Sequence, residues 1–310
     1  MQLTFPSLSR RGFVGGLAAL SAGVMTGAPR PAPERRLTCN SWPFRGYFDT
    51  PAMHRYRDPR LPLLEQAEFP RFLADTFGIH AVEFLPQHFS STSPAYVDAV
   101  RAGLAKAKSR VVNLMGAEVP GGLYNPHLNW DQVGPGVTRW LDIAVALACP
   151  SITFALGGSL PVDPAVAVRN LRPIVAAACR RRVQVLFHND DIRRESAPQL
   201  RAIIRGLNGQ AGTCLDFGNF APRSAAYTLE TVRLLAPFCH HICHAKDGIG
   251  ENGHFYADDF PASMRIMEGS GFRGFYSLEY EGTGGDAVAG VRQLLEKTEA
   301  ALQARRPGRT

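Results

Sequence analysis

Short apolar segments alternate with longer amphipathic segments along most of this chain. Runs such as 81–85, 111–115 and 183–187 are rich in Val, Leu and Phe, which is typical of strands buried on both faces of a parallel sheet. The intervening segments repeat apolar residues at helical spacing, as in residues 65–77, which Gly78 follows as a stop signal. The pattern predicts about eight strands, each followed by a helix.

The predicted elements fill the chain from residue 37 to residue 303. Strands are predicted at 37–42, 81–85, 111–115, 151–156, 183–187 and 274–279, with two more ending at Asp216 and His244. Helices are predicted at 65–77, 94–108, 136–148, 163–181, 197–207, 228–238, 261–270 and 286–303. Residues 29–36 are interpreted as a linker and residues 304–310 as a flexible tail.

This alternation indicates the α/β class. A (β/α)8 barrel occupies about 250 residues, and residues 37–303 are enough for one. A doubly wound open sheet is the alternative, but it usually carries a Gly-rich phosphate-binding turn after its first strand. The sequence has no such turn there. We therefore predict a single (β/α)8 TIM barrel.

The amino terminus has the organisation of an export signal. Arg10 and Arg11 precede a Gly/Ala-rich apolar run that ends near Met25, as in twin-arginine signals, which carry folded proteins across a bacterial inner membrane. The run is too short for a membrane span, which needs at least about 17 residues. We expect residues 1–28 to be a cleaved signal peptide. The mature protein would then be periplasmic or extracytoplasmic, without stable membrane association.

The distribution of charge bears on possible partners, and the cysteine positions bear on possible disulfides. The net charge is +7, but the basic residues are dispersed and no basic stripe is interleaved with aromatic residues, so no nucleic-acid partner is expected. The six cysteines lie mostly in apolar segments, where free cysteine behaves as a small buried hydrophobe. We therefore expect no disulfide.

Polar residues gather at the predicted carboxyl ends of the strands, where TIM barrels place their active sites. The candidates are Glu83, His88, His188, Asn189, Asp216, Asn219, His244, Lys246 and Glu279. The fifth to eighth strands each offer a nitrogen or oxygen ligand at a matching position. A mixed set of imidazoles and carboxylates suits Mn²⁺, Zn²⁺, Co²⁺ or Fe²⁺ better than Ca²⁺. The sequence thus predicts one divalent metal at this edge.

Further candidates lie in the loops predicted over the barrel mouth. The loop from residue 118 to residue 135 is long, and long loops in compact domains are usually functional. It contains His127 and Trp130, which we interpret as substrate contacts, Trp130 by stacking on a sugar ring. His88 and Asn219 are assigned to the substrate in the same way. Glu83 is either a substrate contact or a buried acid paired with an arginine.

The carboxyl half carries three motifs in a fixed order. They are LDFGN at 215–219, HAKD at 244–247 and SLEYEG at 277–282. This half resembles the xylose isomerase-like TIM barrel superfamily, which includes sugar phosphate isomerases and epimerases, inosose dehydratases and endonuclease IV-like proteins. The amino half resembles it more loosely, in CNSWPF at 39–44 and AVEF at 81–84.

The resemblance implies a set of metal ligands. Epimerase-type members of this superfamily bind one divalent metal through a glutamate, an aspartate, a histidine and a glutamate on the fifth to eighth strands. The last three correspond to Asp216, His244 and Glu279. The family's fifth-strand motif usually reads ENHG, whereas this chain has HNDD at 188–191. His188 therefore stands in the place of the first glutamate, and imidazole can replace carboxylate as a ligand.

The implied reaction is proton abstraction beside a carbonyl, through an enediolate-type intermediate, in a sugar, keto-sugar or polyol. Glu279 is the candidate base and Lys246 the candidate donor to a substrate oxygen. With His188 replacing a carboxylate, isomerisation or β-elimination is favoured over two-base epimerisation.

Two alternatives remain at this stage: a non-catalytic carbohydrate-binding barrel that has lost its metal, and an endonuclease IV-like phosphodiesterase. The second is disfavoured because such an enzyme needs more His and Glu ligands than this sequence offers, and because export would separate it from DNA. The expected partner is a small carbohydrate, and a homo-oligomer is left open.

Overall fold

The computed structural model describes residues 36–117, 128–154, 163–189, 197–219, 224–247, 259–282 and 286–304. Its eight parallel strands close into a barrel in sequence order, with the first strand paired to the last. The strands are β1 (Leu37–Asn40), β2 (Ala81–Phe84), β3 (Arg110–Ala117), β4 (Ser151–Phe154), β5 (Gln184–His188), β6 (Ala211–Asp216), β7 (Ile242–Asp247) and β8 (Phe275–Tyr280). The predicted (β/α)8 barrel is confirmed.

A helix follows each strand. The helices are α1 (Phe69–Phe77), α2 (Pro94–Lys106), α3 (Trp130–Ala146), α4 (Pro164–Arg180), α5 (Ala197–Gly206), α6 (Ala225–Leu235), α7 (Phe260–Gly269) and α8 (Ala287–Gln303). Gly78 ends α1 in the left-handed conformation, at φ 65°, which glycine adopts without a steric penalty.

The start of α3 differs from the prediction. The sequence placed residues 118–135 in a loop, but α3 begins at Trp130, with the Asn129 side chain accepting a hydrogen bond from the Asp131 amide. Gly134 and Pro135 are poor helix formers and hid this first turn in the sequence pattern. Trp130 is therefore a helical residue.

The barrel interior is layered. Outward-facing strand residues pack with the helices into one large core, whereas a separate buried cluster comes from the strands alone. Its members are Ala81, Val112, Leu186, Cys214, Ile242 and Phe275. Because strand side chains alternate between faces, Cys214 and Ile242 lie on the same face as Asp216 and His244, one layer deeper. The polar layer thus rests on an apolar one.

Arg36 fastens the amino end of the barrel. Its guanidinium donates to both Glu268 carboxylate oxygens, at 3.2 and 2.7 Å, and to the Gly274 carbonyl at 2.9 Å. The Tyr276 hydroxyl donates to the same Glu268 carboxylate, at 2.9 Å. Arg36 was predicted to belong to the linker, but it is buried, with 4% of its surface exposed. These contacts connect the start of β1 to α7 and to β8.

Two further features concern membrane-spanning helices and disulfides. No helix within the described ranges is long and apolar enough to cross a membrane. All six cysteines are free thiols, with Cys179 exposed and the others buried. The predicted signal peptide lies outside the described residues.

Candidate metal centre

Strand register brings the polar residues of the carboxyl ends together. Asp216 of β6 is the cross-strand partner of His244 in β7. Two residues further along β7, Lys246 is the partner of Glu279 in β8. Residues two apart in a strand face the same side, so His244 and Lys246 both face the barrel interior. The four side chains form one buried polar layer.

Three of the four predicted metal ligands form a compact group. His188, Asp216 and His244 each offer one ligand atom, and these atoms all lie within 4.8 Å of one another. The Nε2 atom of His188 is 3.2 Å from Asp216 Oδ2, and Nδ1 of His244 is 3.4 Å from the same oxygen. The histidine that replaces the family's fifth-strand glutamate therefore lies beside the other candidate ligands.

Glu279, the fourth predicted ligand, contacts this group through His244. Its Oε2 atom lies 3.0 Å from His244 Nδ1, and its Oε1 atom lies 2.7 Å from the Lys246 ammonium. The Asn40 side-chain amide donates to Oε2 of the same carboxylate. Glu279 is thus held between an ammonium, an amide and an imidazole.

The geometry of His244 fits a metal ligand. Its Nδ1 atom is buried and makes no hydrogen bond, although carboxylate oxygens of Glu279 and Asp216 lie 3.0 and 3.4 Å away. These distances describe an ion contact, but the angles do not give a hydrogen bond. A buried imidazole nitrogen that faces carboxylates and a second imidazole is a donor set for a transition metal. The residues present therefore fit one divalent cation.

The charges of this layer depend on one another. Burial alone would raise the pKa of Asp216, but the Lys246 ammonium and the neighbouring imidazoles of His188 and His244 hold it well below its usual range. Burial alone would lower the pKa of Lys246, but Asp216, Glu279 and Glu281 raise it. The Asp216 carboxylate and the Lys246 ammonium are therefore both ionised at neutral pH.

The pKa of His244 is also set by burial and by neighbouring groups, which act in opposite directions. Burial alone would lower its pKa, but the neighbouring Cys214, Glu83 and Glu279 raise it well above the usual value for histidine. Without a metal the ring is therefore protonated on both nitrogens, on Nδ1 as well as on Nε2. A metal at Nδ1 would displace the proton there, since ligating histidine must be unprotonated at the bound atom.

Asn189 and Gly218 position the Asp216 carboxylate. The Asn189 side chain donates to the Asp216 carbonyl at 3.0 Å and accepts from the Asp216 amide at 2.7 Å. The Gly218 amide donates to Asp216 Oδ1 at 2.6 Å, which leaves Oδ2 facing the histidines. Asn219, a predicted substrate contact, lies at the rim, with its Oδ1 atom 3.2 Å from Lys246 Nζ.

Glu83 lies deeper than predicted. It is fully buried, and its carboxylate contacts His244 Nε2 at 3.1 Å. It also accepts hydrogen bonds from Asn113 at 2.7 Å and Ser277 at 2.5 Å. Of the two interpretations left open for Glu83, the buried acid agrees with this burial, but its described partners are a histidine, an amide and a hydroxyl instead of an arginine.

His88 was predicted over the barrel mouth and is instead enclosed in an aromatic cluster. Its ring stacks on Phe48 at 4.4 Å and on Trp42 at 6.5 Å, while Nδ1 contacts the Ser41 hydroxyl at 2.8 Å. The residue is fully buried, and its Nε2 atom has no hydrogen-bond partner. The sequence predicted a loop here, but residues 86–88 form a helical turn in which Pro86 and His88 are buried.

The two loop candidates have different outcomes. Trp130 is partly buried, and its ring lies against Gly134, where a Cβ atom would approach the indole to 2.9 Å. The ring therefore covers the first turn of α3. His127 lies outside the described residues.

Several site residues were missed in the sequence. Asn40 ends β1 and bonds Glu279, and Ser277 lies two residues before Glu279 and bonds Glu83. Both positions follow from strand alternation, which would have identified them. Glu281, whose carboxylate is 3.3 Å from Lys246 Nζ, lies at the next position of the same alternation.

Comparison with protein families supports the assignment of the fold. Residues 71–301 match the model of the family described as xylose isomerase-like TIM barrel. No curated protein sequence matches the chain.

Several solved structures are similar to this barrel. One is a xylose isomerase-like TIM barrel protein from Mycobacterium smegmatis in complex with magnesium, at 12% identity and a TM-score of 0.61, covering 86% of this chain and 97% of that one. Another is the 3-keto-D-glucoside 4-epimerase YcjR from E. coli, at 13% identity and 0.60, covering 79% and 97%. A third is the probable 3-DHS dehydratase AsbF from Bacillus anthracis, at 12% and 0.60, covering 84% and 97%. At these identities the likeness establishes the fold.

Proposed function

This chain belongs to the xylose isomerase-like TIM barrel family, and from that membership we propose that it is a divalent-metal-dependent enzyme acting on a sugar, keto-sugar or polyol. The proposed reaction is isomerisation, epimerisation or elimination, begun by removing a proton from a carbon beside a carbonyl. The similar structures include an epimerase and a probable dehydratase, which supports this class of chemistry.

One observation carries the proposal. The buried Nδ1 atom of His244 has no hydrogen bond and faces Asp216 and Glu279, with His188 in the same group. A purely structural histidine in this position would be expected to donate a hydrogen bond, because an unsatisfied buried polar atom costs about 1–3 kcal/mol. A cation held by these side chains would satisfy the nitrogen.

A bound divalent cation would polarise the substrate carbonyl and stabilise negative charge on its oxygen. The protein itself supplies the base. Among the described carboxylates of the site, that of Asp216 accepts a hydrogen bond from the Gly218 amide, and Glu83 lies beneath His244. Glu279 lies beside His244 and, of the three described carboxylates that contact Lys246, makes the shortest contact with it, at 2.7 Å. We assign proton abstraction to Glu279.

Lys246 has the complementary role. Its ammonium contacts Glu279 at 2.7 Å and Asp216 at 3.2 Å, and it is ionised. Turning toward a substrate oxygen would weaken its contact with Glu279 and so raise the basicity of that carboxylate. Return of the proton by Glu279 to the neighbouring carbon, together with transfer of the hydroxyl proton to the former carbonyl oxygen, gives isomerisation. Departure of a group from the β-carbon, with its bonding electrons, gives elimination instead.

Metal analysis and substrate screening test the proposal together. Purified protein is expected to hold about one transition metal per chain after reconstitution with Mn²⁺, Zn²⁺, Co²⁺ or Fe²⁺. A panel of free sugars, keto-sugars and glycosides followed by ¹H NMR should show metal-dependent conversion of at least one compound, with exchange of a carbon-bound proton in D₂O. A chain that binds sugars but neither metal nor substrate protons would be a carbohydrate-binding barrel.

Export is a separate part of the proposal. Arg10 and Arg11 lie before an apolar Gly/Ala-rich run, as a twin-arginine signal requires. Fusion of residues 1–28 to a reporter that folds in the cytoplasm should deliver the reporter to the periplasm. Replacing both arginines with lysine should prevent delivery, and export of that variant would exclude this pathway.

A further inference from the structure

We infer that Glu83 is the positioning residue of the metal centre, holding the His244 ring so that Nδ1 faces the cation and Nε2 faces away from it. This inference rests on the proposed function, because it concerns how the same site holds its metal. Glu83 contacts the ring nitrogen opposite the one that lies near Asp216 and Glu279. The imidazole is therefore placed between two sets of carboxylates.

The two nitrogens of the ring differ in geometry. Nε2 makes a hydrogen bond with Glu83, at 3.2 Å to Oε1, and that oxygen also accepts from the Asn113 amide, so the imidazole is the donor. Nε2 therefore carries a proton, and it is the proton that remains when a metal binds at Nδ1. Nδ1 makes no hydrogen bond. A ligating histidine commonly donates its other N–H to a carboxylate, which fixes the tautomer and raises the basicity of the ligating nitrogen.

Glu83 is itself held in one orientation. Asn113 donates to Oε1 at 2.7 Å and Ser277 donates to Oε2 at 2.5 Å. Asn113 is held in turn by Ser151, whose hydroxyl donates to its Oδ1 atom at 2.7 Å. All four residues are fully buried. Such a chain of bonds across β2, β3, β4 and β8 leaves the carboxylate little freedom to turn away from His244.

Burial also argues against the other role predicted for Glu83. A substrate contact needs a free oxygen at the barrel mouth, whereas both oxygens of Glu83 accept hydrogen bonds inside the barrel. Its described partners include no lysine or arginine, so Glu83 depends on hydrogen bonds from His244, Asn113 and Ser277. Losing the bond from Nε2 would leave a buried polar group less satisfied, which is costly, and this favours keeping the proton on Nε2.

The inference is tested with Glu83→Gln. A glutamine amide can turn to donate to Nε2, which would leave the ring's proton on Nδ1 and block the ligating nitrogen. We expect the dissociation constant for Zn²⁺, measured by competition with a chromogenic chelator, to rise about 10- to 100-fold. Ser277→Ala removes one hydrogen bond to Glu83 and should raise the dissociation constant for Zn²⁺ by a smaller factor. The matched control is Glu268→Gln, which alters a largely buried glutamate at the amino end of the barrel and should leave Zn²⁺ affinity within about twofold of the wild type.

Histidine NMR gives a readout that does not depend on activity or on metal. In metal-free protein labelled with ¹⁵N-histidine, the Nε2 atom of His244 should carry a proton, slow to exchange and shifted to low field. Glu83→Gln should move or abolish this signal, assigned by its absence in His244→Gln. Nε2 without a proton in the wild type, or unchanged Zn²⁺ affinity in folded Glu83→Gln, would overturn the inference. A wild-type protein that binds no metal would refute the proposed function instead, and the NMR signal would still decide the role of Glu83.

Discussion

Lys246 and Glu279 are direct cross-strand partners in β7 and β8, and their charged groups meet at 2.7 Å. The ammonium also contacts Asp216, at 3.2 Å. One lysine thus links the proposed base to a proposed metal ligand. Any substrate oxygen that enters the site competes for the same ammonium, which connects substrate binding to the basicity of Glu279.

Glu279→Gln tests the assignment of the base. The amide keeps the shape of the side chain but cannot take a proton, so turnover of the substrate found by NMR should fall about 10²- to 10⁴-fold. Metal content should remain near the wild-type level, because His188, Asp216 and His244 remain. The control is Glu281→Gln, which also loses a contact with Lys246 and should have the smaller effect. Full activity in Glu279→Gln would remove this residue from the mechanism.

His188→Gln tests whether the unusual fifth-strand residue is a ligand. Loss of its imidazole should weaken Zn²⁺ binding by at least about tenfold, measured by titration calorimetry. His188→Glu restores the carboxylate expected from the resemblance and should bind Mn²⁺ at least as well as the wild type. His241→Gln serves as control, since His241 contacts the Val112 carbonyl instead. Equal affinities in His188→Gln and His241→Gln would show that His188 is not a ligand.

The Arg36–Glu268 pair should contribute to stability and not to metal binding. Arg36→Met leaves the largely buried Glu268 carboxylate without its cation, and such a loss costs about 3 to 5 kcal/mol. Urea denaturation should show this decrease in the free energy of unfolding. Adding Glu268→Leu should recover part of it, because the unpaired charge is then removed. An Arg36→Met variant as stable as the wild type would show that the pair is not stabilising.

His88 should make the protein less stable in mild acid. Burial, with a smaller contribution from Arg45, lowers the pKa of His88 to about 3, against about 6.5 in an unfolded chain. Between these values the unfolded state binds a proton that the folded state does not. As the pH decreases through this range, His88 therefore lowers the free energy of unfolding by about 1.4 kcal/mol per pH unit. Above about pH 6.5 both states are neutral and the effect vanishes.

The comparison with His88→Gln isolates this contribution. Between about pH 7 and pH 4.5 the wild type should lose about 2 to 3 kcal/mol more than the variant, measured by urea unfolding at both values. Other titrating groups affect both proteins alike and cancel in the difference. Equal losses would mean that His88 is protonated in the folded state.

The alternation of strand residues made much of this site predictable. Asp216, His244 and Glu279 each lie in or end an apolar strand, and parallel strands bring such positions to one edge. The closed barrel with its helices followed from the same pattern. Export of the chain remains a prediction, as do the roles of the site residues.

Depth within the barrel was not predictable. The sequence identifies Glu83 only as an acid inside a strand. Its partners Asn113 and Ser277 come from strands distant along the chain. The position of His88 depends on the rings of Trp42 and Phe48, which long-range packing places around it. Such contacts depend on tertiary structure that a local pattern does not contain.

Anomalous diffraction from crystals of the Zn²⁺-loaded protein tests the central claim most directly. We predict one strong peak per chain, within bonding distance of His244 Nδ1, Asp216 and Glu279, with His188 as a further ligand. The control is a data set below the zinc absorption edge, where the peak should disappear. Zinc bound elsewhere, or a polar layer without a peak after loading, would contradict the assignment of these residues as a metal centre.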